Sequence, residues 1–412
     1  MAIADAARRA HVAVAVTFLA HALLFASWTA HIPQLKESLG LDDAALGTAL
    51  LGAPIGSLVA MAAVGKLLPV IGSHRLIPIT AVGYAISGVA VGFSGSAAAL
   101  FATLALWGVF HGALDVVMNT QAVTVERALG SPIMARLHGM WSVGGFVGAL
   151  LGAGAVSVGI GLPLQQGALG LVAVAALAGL TGRLLPDQAK RTEAEGLDAE
   201  GIAAEHVKEE PAQRKWTFSS TVLVLGVVAF AAMFCEGAAA DWSANYLRND
   251  LGTGAGVAGL GYVAFALAML TTRLSGPFLQ SRFRTATLLP VLALLAVVGM
   301  VAALATGQTI IALCGLAALG FGLALVVPTA FSAAGATNHE AGNAGSVIAA
   351  VSALGWIGFL AGPPLIGHLA DAVGLPKALA VLPLLTLVIA ILIRRTRPFA
   401  PTPTTPVATS SG

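Results

Sequence analysis

Apolar residues run along this chain in long blocks. Scanned with a window of roughly 20 residues, the length of helix that crosses a bilayer core, the sequence divides into twelve apolar runs. They lie at about 12–32, 45–65, 76–94, 98–124, 139–158, 163–185, 219–247, 257–276, 286–305, 309–331, 344–367 and 376–393. Glycine, proline or charged residues separate them. The pattern predicts an all-α membrane protein of twelve transmembrane helices.

Composition agrees and removes other classes. Of 412 residues, 57% are hydrophobic and 10% charged, where a soluble domain carries about a quarter charged residues. The formal net charge is only +2, so the low hydrophobicity and high charge of a disordered chain are absent. Cys235 and Cys314 both sit in apolar runs and offer neither a disulfide framework nor a paired metal motif. The first run has no small-residue cleavage site after it and is read as a retained span rather than a signal peptide.

With a cytoplasmic N-terminus, all but three of the 21 Lys and Arg residues fall on the cytoplasmic side. Lys36, Arg248 and Lys377 are the exceptions. That bias sets the orientation and predicts both termini inside a bacterial cytoplasmic membrane. The segment from Pro186 to Trp216 carries 13 of the 40 charged residues and reads as a solvated cytoplasmic linker. The tail, 398–412, rich in Pro, Thr and Ser, reads as disordered. The expected organisation is a bundle over 1–185, the linker 186–216, and a second bundle over 217–397.

The two bundles are related in sequence. At an offset of 212, Leu35 meets Leu247, Lys36 meets Arg248, Gly40 meets Gly252 and Gly47 meets Gly259. At an offset of 210, Ser142, Gly145, Gly148 and Gly152 in the fifth run meet Ser352, Gly355, Gly358 and Gly362 in the eleventh. Small residues at four-residue spacing share a helix face and permit close packing in lipid. Duplicated six-helix halves with a site between them at mid-membrane are the architecture of a secondary transporter.

The segments Gly108 to Asn119, Leu137 to Ala153 and Glu236 to Arg248 resemble the major facilitator superfamily, in particular the bacterial inner-membrane branch related to fucose permeases and called YbjJ-like. The resemblance implies two six-helix halves that alternate access, and acids in the first and fourth spans that share proton coupling. The signature between the second and third spans is degraded. Gly65, Gly72 and Arg75 remain, but Pro69 and Val70 stand at the Asp and Arg positions. In the first span no acid is present, and His21, Trp28 and His31 lie there instead.

A carboxylate deep in a spanning helix costs roughly 2.5 to 3.5 kcal/mol on insertion scales, so it marks function by default. Two acids are deepest, Asp115 in the fourth run and Glu236 in the seventh, with Asp241 nearer the outside. Trp107, His111, Asp115 and Asn119 recur every four residues and form one polar stripe. Its counterparts in the tenth run are Ala317, Phe321, Leu325 and Thr329, so the stripe belongs to one half only. Asp115 is the expected proton-coupling residue, able to gain a proton from one side and release it to the other, with Glu236 the second candidate. Substrate contacts are expected from His111, Asn119, Trp107, His21, Trp28, His31, Trp141, Asp241, Trp242, Asn245, Tyr246 and Trp356. Trp216 reads as a boundary anchor.

Other motifs fail. Gly254-x-Gly256-x-x-Gly259 matches a dinucleotide fingerprint as a string but opens a membrane span with no strand before it. No phosphate-binding loop, zinc-protease pair or nucleophile elbow is complete. The expectation is therefore no enzyme, cofactor, metal or nucleic-acid partner. It is a monomer in the lipid bilayer, handling protons and a small molecule such as a sugar-like metabolite. Proton-driven export of drug-like compounds and a membrane sensor acting through the linker are the alternatives.

Overall fold

The computed structural model describes residues 2–187, 220–336 and 344–395. Most of the 186–216 segment, with Trp216, and the 398–412 tail lie outside the described residues. Twelve helical segments are long and apolar enough to cross a membrane: span 1 Asp5–Leu39, span 2 Asp43–Ile71, span 3 Ser73–Val91, span 4 Ala97–Leu129, span 5 Met134–Ser157, span 6 Leu162–Arg183, span 7 Ser220–Asp250, span 8 Ala255–Arg282, span 9 Thr285–Thr306, span 10 Thr309–Ala334, span 11 Ala350–Val373 and span 12 Leu375–Arg395. No strand occurs among the described residues. Several spans run past the apolar windows because polar caps extend the helix beyond the hydrocarbon. Asp42 and Ser96 accept from the backbone N–H of Ala45 and Ala99, supplying donors' partners at the starts of spans 2 and 4.

The duplication is visible in geometry. Gly40 after span 1 and Gly252 after span 7 both take the left-handed backbone conformation, at φ 60° and 65°, which lets each chain reverse into the next span. Spans 1 to 6 pack among themselves, as do spans 7 to 12. The halves meet where span 2 packs on span 11 and span 5 on span 8. Repeat-related glycines make both contacts. A Cβ on Gly47 would press on the carbonyl of Pro363 at 2.6 Å, and one on Gly259 on the Cα of Ala153 at 2.8 Å. Both lie near the end of the bundle formed by the short connections 40–42, 158–161 and 251–254, here called the loop end; the opposite end carries the chain termini.

The small-residue ladder needs one correction. In span 5, Gly144 and Gly148 press on the backbone of Leu19 and Leu23 in span 1, whereas Gly145 faces open space. Gly358 in span 11 makes the corresponding approach to Phe230.

At the terminal end, Asp187 caps the start of span 3. Its carboxylate accepts from the Ser73 backbone N–H and, at 2.6 Å, from the Ser73 hydroxyl, with Thr124 at 3.4 Å. A carboxylate at a helix N-terminus is favoured by the unpaired amides and the helix dipole. The chain leaving span 6 is thereby fastened to the start of span 3 and to span 4, where Gln121 also donates to the Leu185 carbonyl.

Candidate functional site

In the first half, spans 1, 3, 4 and 5 bring together an aromatic and imidazole stack. His21 lies 4.2 Å from His111 between ring centroids, and Tyr84 stacks on Trp107 at 5.2 Å. Phe25 covers Trp107 and His111, and Trp28 tilts against Trp107. His21 Nε2 lies 3.2 Å from the His111 carbonyl, which can only accept, so Nε2 carries the proton. Its Nδ1 then accepts from the Trp141 indole N–H at 3.3 Å. Both ring nitrogens are used, and that accounting fits a neutral, structural imidazole. The Tyr84 hydroxyl bonds His111 Nδ1 at 3.2 Å. His31 is drawn away from this group: it is buried and bonded to Gln165 at 2.8 Å, and Gln165 in turn donates to the Ser27 carbonyl.

One turn beyond His111, Asp115 is only partly buried. Asn119 Nδ2 donates to the Asp115 carbonyl at 2.8 Å and reaches its Oδ1 at 3.4 Å. No cation approaches Asp115 among the described residues. The stripe thus divides. Trp107 and His111 go into the stack, and Asp115 and Asn119 remain as an acid and its amide neighbour.

The second half is built differently. Arg273 in span 8 places Nη2 3.8 Å from Glu236 Oε1 in span 7. Its Nε donates to the Ala324 carbonyl in span 10 at 3.3 Å, and its Nη1 reaches Ser142 of span 5 at 3.4 Å. One guanidinium therefore touches both halves. The side chains keep 25% and 22% of their surface, and Arg273 is flanked by helices of both halves. The reading of Arg273 as part of the cytoplasmic charge belt is corrected: span 8 continues to Arg282, which carries position 273 inside the helix. Glu236 pairs with this arginine rather than with Asp115 or a histidine.

Further along span 7, Asp241 is partly buried and Asn245 wholly buried, its Nδ2 donating to the Asp241 carbonyl at 3.2 Å. Trp242 is enclosed beside Gly367 at the loop-end contact. Tyr246 donates its hydroxyl to the Ala303 carbonyl of span 9 at 3.2 Å. Trp356 stands edge-on to Phe359 at 5.8 Å. Reasoning from sequence missed Arg273, Tyr84 and Gln165. Only Arg273 carried a usable signal, an arginine inside an apolar run.

With fold and site described, the family can be stated. The chain belongs to the major facilitator superfamily, whose model matches residues 13–357. An uncharacterised MFS-type transporter of Yersinia pestis is 31% identical over 379 residues, covering 92% of this chain and 94% of that protein. The membrane protein MosC of Rhizobium meliloti is 31% identical over 367 residues, 89% of this chain and 85% of its own length. A crystal structure of the nucleoside transporter NupG superposes with a TM-score of 0.67 at 12% identity, over 93% and 98% of the two chains. A D-xylose–proton symporter does so at 0.66 and 16%, over 93% and 97%. At such identities these structures share the fold alone.

Proposed function

We propose that the protein is a proton-coupled secondary transporter that moves a small polar solute across the bacterial cytoplasmic membrane by alternating access, both termini facing the cytoplasm. The observation that carries this reading is Asp115, a partly buried mid-span carboxyl with an amide neighbour but no cation among the described residues. A charge at membrane depth without a partner is costly, and a carboxyl so placed can hold a proton in one state and surrender it in the other. Glu236 is less suited to that task while Arg273 occupies it, and serves instead to join the halves around the solute. Loop-end contacts through Gly47 and Gly259 give the rocking motion its closed end.

The test is flux in proteoliposomes with labelled D-xylose, adenosine and glucosamine, with and without a pH gradient. Uphill accumulation is expected to require the gradient, and Asp115→Asn to abolish accumulation while keeping downhill exchange. Accumulation by Asp115→Asn equal to the parent would remove Asp115 from the coupling role.

A further inference from the structure

We propose that the solute carries a protonated amine, received by Asp241 together with the amide oxygen of Asn245. The inference rests on the transport reading and adds the charge class of the cargo.

Among the described residues, spans 4 and 7 carry three partly buried carboxyl side chains, Asp115, Glu236 and Asp241, and Arg273 of span 8 pairs with Glu236 among them. Glu236 takes the arginine, and Asp115 has its asparagine and, in the reading above, its proton. Asp241 is left over. Its carboxylate has no hydrogen-bond donor and no cation among the described residues. An uncompensated acid at membrane depth is expensive and functional by default.

A second observation points the same way. Asn245, one turn on and on the same helix face, has a buried Oδ1 with no donor. Its orientation is fixed, because Nδ2 is already committed to the Asp241 carbonyl. Adjacent acceptors, one charged and one neutral, therefore wait for donors that the protein does not supply. An ammonium group brings three N–H donors and the missing positive charge. A sugar hydroxyl would bring a donor and no charge, and an anion would be repelled.

Tyr262 of span 8 lies within electrostatic reach of Asp241, Glu236 and Arg273 and stacks on Phe265 at 5.8 Å. It offers an aromatic face of the kind that attracts organic cations. A bare metal cation is a poorer fit, since it asks for about six oxygens, and no group of three His, Cys, Asp or Glu residues that would hold a metal occurs among the described residues. Both Asp241 and Asn245 lie in the loop-end part of span 7.

The experiment is thermal unfolding and binding with the full chain in lipid nanodiscs, using matched pairs: glucosamine and glucose, cyclohexylamine and cyclohexanol, benzylamine and benzyl alcohol. Sodium chloride at equal ionic strength is the inorganic control. At least one amine should raise the melting temperature where its neutral partner does not, because a ligand that prefers the folded state stabilises it. Asp241→Asn should weaken that amine roughly 30-fold or more. Asn245→Ala, which keeps the carboxylate, should weaken it less and serves if Asp241→Asn fails to fold. Amines no better than their neutral partners, sodium as good as any amine, or full binding by both variants would overturn the proposal. Uphill accumulation of an uncharged solute would also overturn it while leaving proton-coupled transport standing.

Discussion

The two halves are alike where they touch and unlike where they do chemistry. Gly47 and Gly259, related by the duplication, both let a helix of one half lie against a helix of the other. The interiors share nothing comparable. The first half has a packed stack of His21, His111, Tyr84 and Trp107 beside an acid without a cation. The second has an ion pair that reaches across to Ser142. The glycine contacts between the halves keep the repeat, and the polar residues of the two interiors abandon it.

Breaking the asymmetry gives the largest expected effect. Arg273→Ala leaves Glu236 facing the cleft unpaired, and stranding one partner is worse than losing both. Solute counterflow should fall on the order of 100-fold, and the double variant Arg273→Ala, Glu236→Gln should recover part of it. Equal loss in single and double variants would show that the guanidinium acts on the solute rather than through Glu236. Breaking the symmetry comes next. Gly47→Val and Gly259→Val should each disfavour the closed loop end, by about tenfold in population for an overpacking cost of 1–3 kcal/mol. Spin-label distances across that end measure it, and the two variants should agree if the duplication governs the motion.

The smallest effect is expected at the rim. Arg248 donates to Glu37 of the other half at 3.2 Å, with 35% and 51% of the side chains exposed. Its repeat partner Lys36 pairs inside its own half, with Asp43 at 2.6 Å. Exposed pairs contribute about 0–1 kcal/mol, so Arg248→Ala should change the same distances by less than the glycine variants, and the difference should vanish in high salt.

How much was legible follows from what kind of signal each feature leaves. Twelve spans and the repeat were readable because hydropathy and spacing are properties of the line. Asp115 and Glu236 stood out because deep acids are rare. Arg273 left a signal as an arginine inside an apolar run, but one near the run's end, where an arginine ordinarily snorkels to the interface; only packing shows it turned inward. Tyr84 and Gln165 left no trace, since a lone polar residue in an apolar helix acquires a partner only when another span arrives beside it. The same holds for the division of the stripe, in which Trp107 and Asp115 share a helix face yet fall into different surroundings.

Asp187 carries a mechanical consequence. Because its carboxylate grips Ser73 and Thr124, the exit of span 6 is coupled to the head of span 3 and the flank of span 4, the helix that bears Asp115. A displacement of any one of these three ends is carried to the other two.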